Sequence, residues 1–162
     1  PIEVASNKFV VVLTGLGAAL SASLAAAGGA YGTFKCAKYF YSLESKSFDL
    51  NGNNESQPTL KYFTAIVMSG VLAIYGLIIA VILSGAMSTE ISIASGAIKL
   101  CAGLTVGLCC LFSGWGIGNS FPEEGKAPTR YYSLVMIHIY LEALGLYGLI
   151  VALIMNANSQ NL

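Results

Sequence analysis

The sequence predicts an all-α membrane protein of four transmembrane helices, built as two parallel helical hairpins. Three observations carry that expectation. The chain is 56% hydrophobic and 10% charged over 162 residues, against about 25% charged residues in an ordinary water-soluble domain. Its apolar residues fall into four runs, at about 9–34, 62–87, 91–119 and 131–156, each meeting the roughly 20 residues a spanning helix needs. The second half of the chain also repeats the first.

The first run contains GLGAALSASLAAAGGAYGTFK, with Gly28 and Gly32 four residues apart on one helical face. In water this glycine content would argue against helix. In lipid every backbone group must bond internally, and helix is the open-ended solution. The third run continues the theme at Gly103/Gly107 and Gly114/Gly118. Small residues at this spacing let helix backbones approach closely. They suit a tight pair in any bundle, or an inner ring of helices around an axis. The second and fourth runs are richer in Ile, Leu, Val and Tyr. Between the first two lies a polar stretch, 36–61, expected as a loop, partly disordered or folded as a short excursion, with Pro58 before the second span. Opening on Pro1, the chain reads as processed or trimmed, and its first apolar run is too long for a signal h-region and lacks a basic leader.

The repeat is explicit. Residues 73–83, AIYGLIIAVIL, align with 145–155, GLYGLIVALIM, with six of eleven positions identical. Gly17 aligns with Gly103, Gly28 with Gly114 and Gly32 with Gly118. The expected units are hairpins 1–87 and 88–162. Both run in the same sense, so they are related by an axis along the membrane normal, unlike an inverted-repeat transporter.

The fourth run holds one acid, Glu142, near its middle. A charge at the bilayer centre costs roughly 2.5–3.5 kcal/mol on insertion scales. Desolvation favours the neutral, protonated carboxyl when it faces lipid. An acid so placed is a functional candidate, the alternative being polar glue to a neighbouring helix. Glu142 aligns with Gly70, so one four-helix chain presents one titratable site. Tyr75, in the aligned AIYG, is the first candidate to hold the protonated acid. Tyr147, five residues beyond Glu142 and about 140° around the helix, is a weaker one. Both also read as packing residues. His138 precedes Glu142 by four residues, on the same face. It reads as a packing histidine bonded to a carbonyl, or as a relay on the way to the acid.

Cys36, Cys101, Cys109 and Cys110 lack metal-ligand spacing and read as small packing residues. No metal or cofactor is expected. A formal net charge of zero offers no basic face for nucleic acid. Lys35, Lys38, Lys46 and Lys61 lie in or beside the first loop, and Lys126 and Arg130 in the third. By the positive-inside rule these loops are cytosolic and the termini lumenal. The sequon at Asn54 then goes unused, and Lys99 is expected to snorkel toward the lumenal interface.

The stretches GAALSASLAAAGGAYGTFK (17–35), MSGVLAIYGLIIAVIL (68–83), AGLTVGLCCLFSGWGIG (102–118) and LEALGLYGLIVALIM (141–155) resemble the proteolipid c subunits of eukaryotic vacuolar-type proton-pumping ATPases. They cover all four spans, and E-x-x-G-L-Y-G-L from Glu142 to Leu149 is the specific motif. The resemblance implies a ring of such proteolipids with the first and third spans inside, and Glu142 as proton carrier. It implies a stator subunit a that supplies a buried arginine, contact with the central-stalk subunit d, and ATP hydrolysis on other subunits. It implies a membrane of vacuolar or endosomal type. The first loop is longer than the family's usual turn, and the third, NSFPEEGKAPTRYY, differs from it. AGLTVGL is also similar to the c'' proteolipid, which carries its acid in the helix matching the second span, where this chain has Gly70. Where sodium-type relatives place oxygen-bearing side chains, this chain has Val71 and Leu72, which implies a proton as the ion. The alternatives are a c' or c'' isoform of the same ring, or a non-catalytic four-span protein at membrane contacts or pores. A secondary transporter would need polar groups converging on a cavity, which the spans lack.

Overall fold

Helix boundaries follow the breakers in the chain. A computed structural model describes residues 2–51, 57–87, 92–121 and 131–159, with side chains over 8–42, 63–87, 92–121 and 132–159. The four helices are α1 (Ile2–Asn51), α2 (Gln57–Gly85), α3 (Ile93–Asn119) and α4 (Tyr131–Ser159). Pro58 sits in the first turn of α2, where its missing N–H costs nothing. Ser92 caps α3, its side chain accepting from Ser95 N at 3.3 Å. Ser120 closes α3 just before Pro122, a residue that disfavours helix at the position before it.

All four helices contain a stretch long and apolar enough to cross a membrane: Lys8–Ser42, Phe63–Gly85, Ile93–Asn119 and Tyr132–Ser159. The protein is an all-α, four-span integral membrane protein.

One expectation is corrected. Residues 36–51 do not belong to a loop; they continue α1. CAKYFYSLESKSFDLN contains neither Gly nor Pro, so polarity alone gives the backbone no reason to leave the helix, and the first breaker is Gly52. At 50 residues α1 is about 75 Å long, far more than a bilayer core of about 30 Å requires. The sequon at Asn54, most of the third loop, and the side chains of Lys46, Lys61, Lys126 and Arg130 lie outside the described residues.

Buried positions recur every three or four residues, as a helix with one packed face requires. On α2 they are Ala65, Ser69, Leu72, Gly76, Ile79 and Leu83. α1 and α3 run parallel and in register. A Cβ on Gly17 would stand 2.9 Å from Leu100 Cα, one on Gly28 would stand 2.6 Å from Leu111 Cα, and one on Gly114 would stand 2.9 Å from Gly28 Cα. Gly103 lies against Gly17, Gly107 against Leu20 and Leu24, and Gly118 against Tyr31 and Lys35. Gly32 meets Ser69 and Gly114. All six glycines named in the sequence as packing positions therefore sit at helix contacts.

α2 lies antiparallel against α1, with Gly76 on Ser21 and Ala25 and Gly29 on Ser69 and Ala73. α4 lies antiparallel against α3, with Gly148 on Val106 and Cys109 and Gly116 on Leu141. α2 also touches α4, where Leu72 and Tyr75 approach Gly145. Their remaining faces expose Ile74, Leu77 and Val81, and Leu144, Ile150 and Ile154, which is ordinary for a surface solvated by lipid.

Candidate functional site

Glu142 lies in the first half of α4, about 15 Å along the helix from Tyr132, partly buried. Leu141 packs toward α3, where its Cδ2 would be 2.9 Å from a Cβ on Gly116. One residue on is 100° around the helix, which turns Glu142 toward α2. There Tyr75 Oη donates to Glu142 Oε1 at 3.5 Å. This is the pairing expected from the aligned AIYG.

The site is otherwise apolar and tightly filled. A Cβ on Gly145, three residues after the acid, would lie 2.6 Å from Leu72 Cδ2 and 3.7 Å from both Cys110 Sγ and Tyr75 Cδ2. Gly148 makes room for Cys109. These glycines let α2 and α3 close on the face of α4 that carries the carboxyl. The cysteines are free thiols, Cys36 and Cys110 buried, Cys109 half-buried and Cys101 exposed, and no group of three or more His, Cys, Asp or Glu side chains among the described residues is arranged to hold a metal.

The other candidates separate. Tyr147 is 59% exposed on the outer face of α4 and is not brought to Glu142. His138 is 1% exposed, and its Nε2 lies 2.7 Å from Ser120 Oγ. With the Ser120 hydroxyl donating to Ile117 O at 2.7 Å, the imidazole N–H donates to Ser120. The ring packs on Phe121 at 5.1 Å between centroids, and Phe121 packs on Tyr39 at 4.9 Å. His138 thus joins the end of α3 to α4.

Lys99 is 1% exposed, and its Nζ donates to Ala86 O at 3.0 Å, one residue past the end of the second span. The reason is local. α2 ends at Gly85 with carbonyls lacking helical partners, and the negative end of its dipole attracts a cation.

Ser113 escaped the sequence reading. It is buried at the level of the acid, and its hydroxyl donates to the carbonyl of Leu141. Nothing in the sequence marks this bond, because its acceptor is backbone.

Comparison with known proteins now has a geometry to meet. No protein-family profile matches the chain. It is 36% identical over 151 residues to the V-type proton ATPase subunit c' of Eremothecium gossypii, covering 86% of this chain and 84% of that one. It is 34% identical over 145 residues to the human V-type proton ATPase 16 kDa proteolipid subunit c, covering 87% and 88%. With the V-type proton ATPase proteolipid subunit of Dictyostelium discoideum it shares 37% over 138 residues, 82% of this chain and 66% of that one. Relatives named c and c' alike match over most of the chain, and the chain belongs to the proteolipid subunit family of V-type proton ATPases.

Proposed function

We propose that this chain is a rotor-ring proteolipid that carries one proton per copy on Glu142. The observation that carries the reading is that Glu142 is the single acid within the four spans, and that it faces a tyrosine hydroxyl in apolar surroundings. A carboxyl there crosses lipid neutral, with Tyr75 donating to its oxygen. When it meets a buried arginine on a stator, ion pairing favours the carboxylate and the proton leaves.

Copies of the chain, with related proteolipids, form the ring, α1 and α3 inside and α2 and α4 facing lipid. The glycine contacts between α1 and α3, against the bulky apolar residues exposed on α2 and α4, support that arrangement. Two duplicated hairpins, 1–87 and 88–162, are supported by the register: Gly17 meets Gly103 and Gly28 meets Gly114, the same pairs that align in the repeat. The 1–2 and 3–4 connections face the cytosol toward stalk subunit d, and stator subunit a contacts the outer helices. His138 serves as an anchor rather than a relay, since its nitrogen is engaged by Ser120 and its ring by Phe121.

Glu142→Gln keeps size and hydrogen bonding but cannot carry a proton. Rings built only from this variant should assemble and not pump, read as ring yield and as acidification of sealed vesicles. Normal acidification would overturn the reading. His138→Gln should keep pumping; a loss of more than about tenfold at unchanged ring yield is what general acid–base participation would produce.

A further inference from the structure

The direction of the Glu142 carboxyl depends on how α4 is rotated about its own axis. A carboxyl oxygen stands roughly 6–7 Å from that axis, so a rotation of about 20° carries it more than 2 Å. That displacement would break the 3.5 Å contact with Tyr75 Oη. From Gly145 to Ala152 the face that α4 turns inward carries Gly145, Gly148, Leu149 and Ala152, none of which offers a polar side chain to key the rotation.

Serines at the α3 side reach across to α4 at different heights. Ser95 Oγ donates to Ser159 O at 2.7 Å, near one end. Ser120 Oγ accepts from His138 near the other, at 2.7 Å. Between them Ser113 Oγ donates to Leu141 O, the carbonyl of the residue directly before the acid. The first hairpin has a bond at the equivalent height with its polarity reversed. There Ser69, which aligns with Leu141, donates from α2 to Gly29 O on α1 at 3.1 Å. In the second hairpin the donor has moved to the inner helix, so the outer helix keeps an apolar residue beside Glu142.

We infer that Ser113 is a positioning residue for proton carriage: its bond to the Leu141 carbonyl fixes the rotation of α4 that aims the Glu142 carboxyl at Tyr75. The inference rests on the proton-carrier reading of Glu142. Ser113 does not touch the proton and acts only through the alignment of Glu142 with Tyr75.

The test uses Ser113→Ala, Tyr75→Phe and the double variant in the assembled ATPase. Two rates are read at matched ring yield: vesicle acidification, and labelling of Glu142 by a hydrophobic carbodiimide followed across pH by mass spectrometry. Ser113→Ala should slow acidification by about 3- to 10-fold, the range a single hydrogen bond supports. It should also raise the labelling rate about threefold and displace its pH profile, because the carboxyl is released from Tyr75. The double variant should be no worse than Tyr75→Phe alone, since both changes remove one alignment. Multiplicative losses in the double variant, or an unchanged labelling profile in Ser113→Ala, would overturn the inference. Failure of the parent reading is separately visible, because Glu142→Gln rings would then still acidify vesicles.

Discussion

Gly114 and Gly70 show how differently one residue type behaves in this chain. A Cβ on Gly114 would collide with the Gly28 backbone, whereas one on Gly70 meets nothing within 4 Å. Alanine is favoured over glycine in a helix interior by roughly 0.5–1 kcal/mol. At Gly70 that gain is realised, so Gly70→Ala rings should form normally and withstand slightly more heat before aggregating. At Gly114 the obstacle is main chain, which cannot rotate aside, so Gly114→Ala should push α1 and α3 apart and sharply reduce assembled ring. Gly114→Leu should abolish it. Full ring yield from Gly114→Leu would show that the two helices do not meet there in the assembly. Glu142 and Tyr75 were both legible in the sequence, one from its cost in lipid and the other from the aligned AIYG and GLYG segments. Ser113 was not, since a serine in an apolar run looks the same whether it bonds its own helix, as Thr105 does to Cys101 O, or a neighbour's.

Lys99 decides an element-scale question, how α2 ends against α3. Burying an ammonium costs several kcal/mol, and an unbonded buried carbonyl costs about 1–3 kcal/mol; the pair at Ala86 answers part of both costs. Lys99→Met keeps the length of the side chain and removes charge and bond together. Ring yield should therefore hold, because the cost of burying the ammonium disappears and offsets the Ala86 carbonyl left without its donor, while the last turn of α2 loosens. Amide exchange at Ala86 and Met87 should rise about 3- to 10-fold, the scale of one lost bond. Unchanged exchange would show that the lysine does not hold that turn. The apolar spans themselves were readable from composition, because length and hydropathy suffice in lipid. The extension of α1 to Asn51 was not. Polarity over 36–51 reads as a loop signal, yet that stretch holds neither Gly nor Pro to end the helix before Gly52. The partner of Lys99 was not legible either, because its acceptor is a backbone carbonyl at the end of α2.

At the scale of the whole molecule, if Glu142 is the carrier proposed above, the arrangement of oxygens around it decides which ion the ring carries. A dehydrated cation must find several oxygens to replace its water. Of the serine hydroxyls, Ser69 donates to Gly29 O on α1 and Ser113 to Leu141 O, each turned toward a backbone carbonyl of a neighbouring helix. Val71, Leu72, Leu141 and Ala143 add no side-chain oxygen, and Gly145 is covered by Leu72 and Cys110. What remains is the carboxyl and the Tyr75 hydroxyl, 3.5 Å apart. A carboxyl and one hydroxyl hold a proton well, the first as its covalent site and the second as a hydrogen-bond donor, and they hold a bare sodium ion poorly. The ring should therefore be proton-specific. Acidification by the purified complex at fixed pH should be the same in sodium and in potassium buffers. Carbodiimide labelling of Glu142 near neutral pH should proceed at the same rate with and without sodium. Slower labelling in sodium would mean that the cation finds ligands beyond these two groups, and that the ring carries sodium as well as protons.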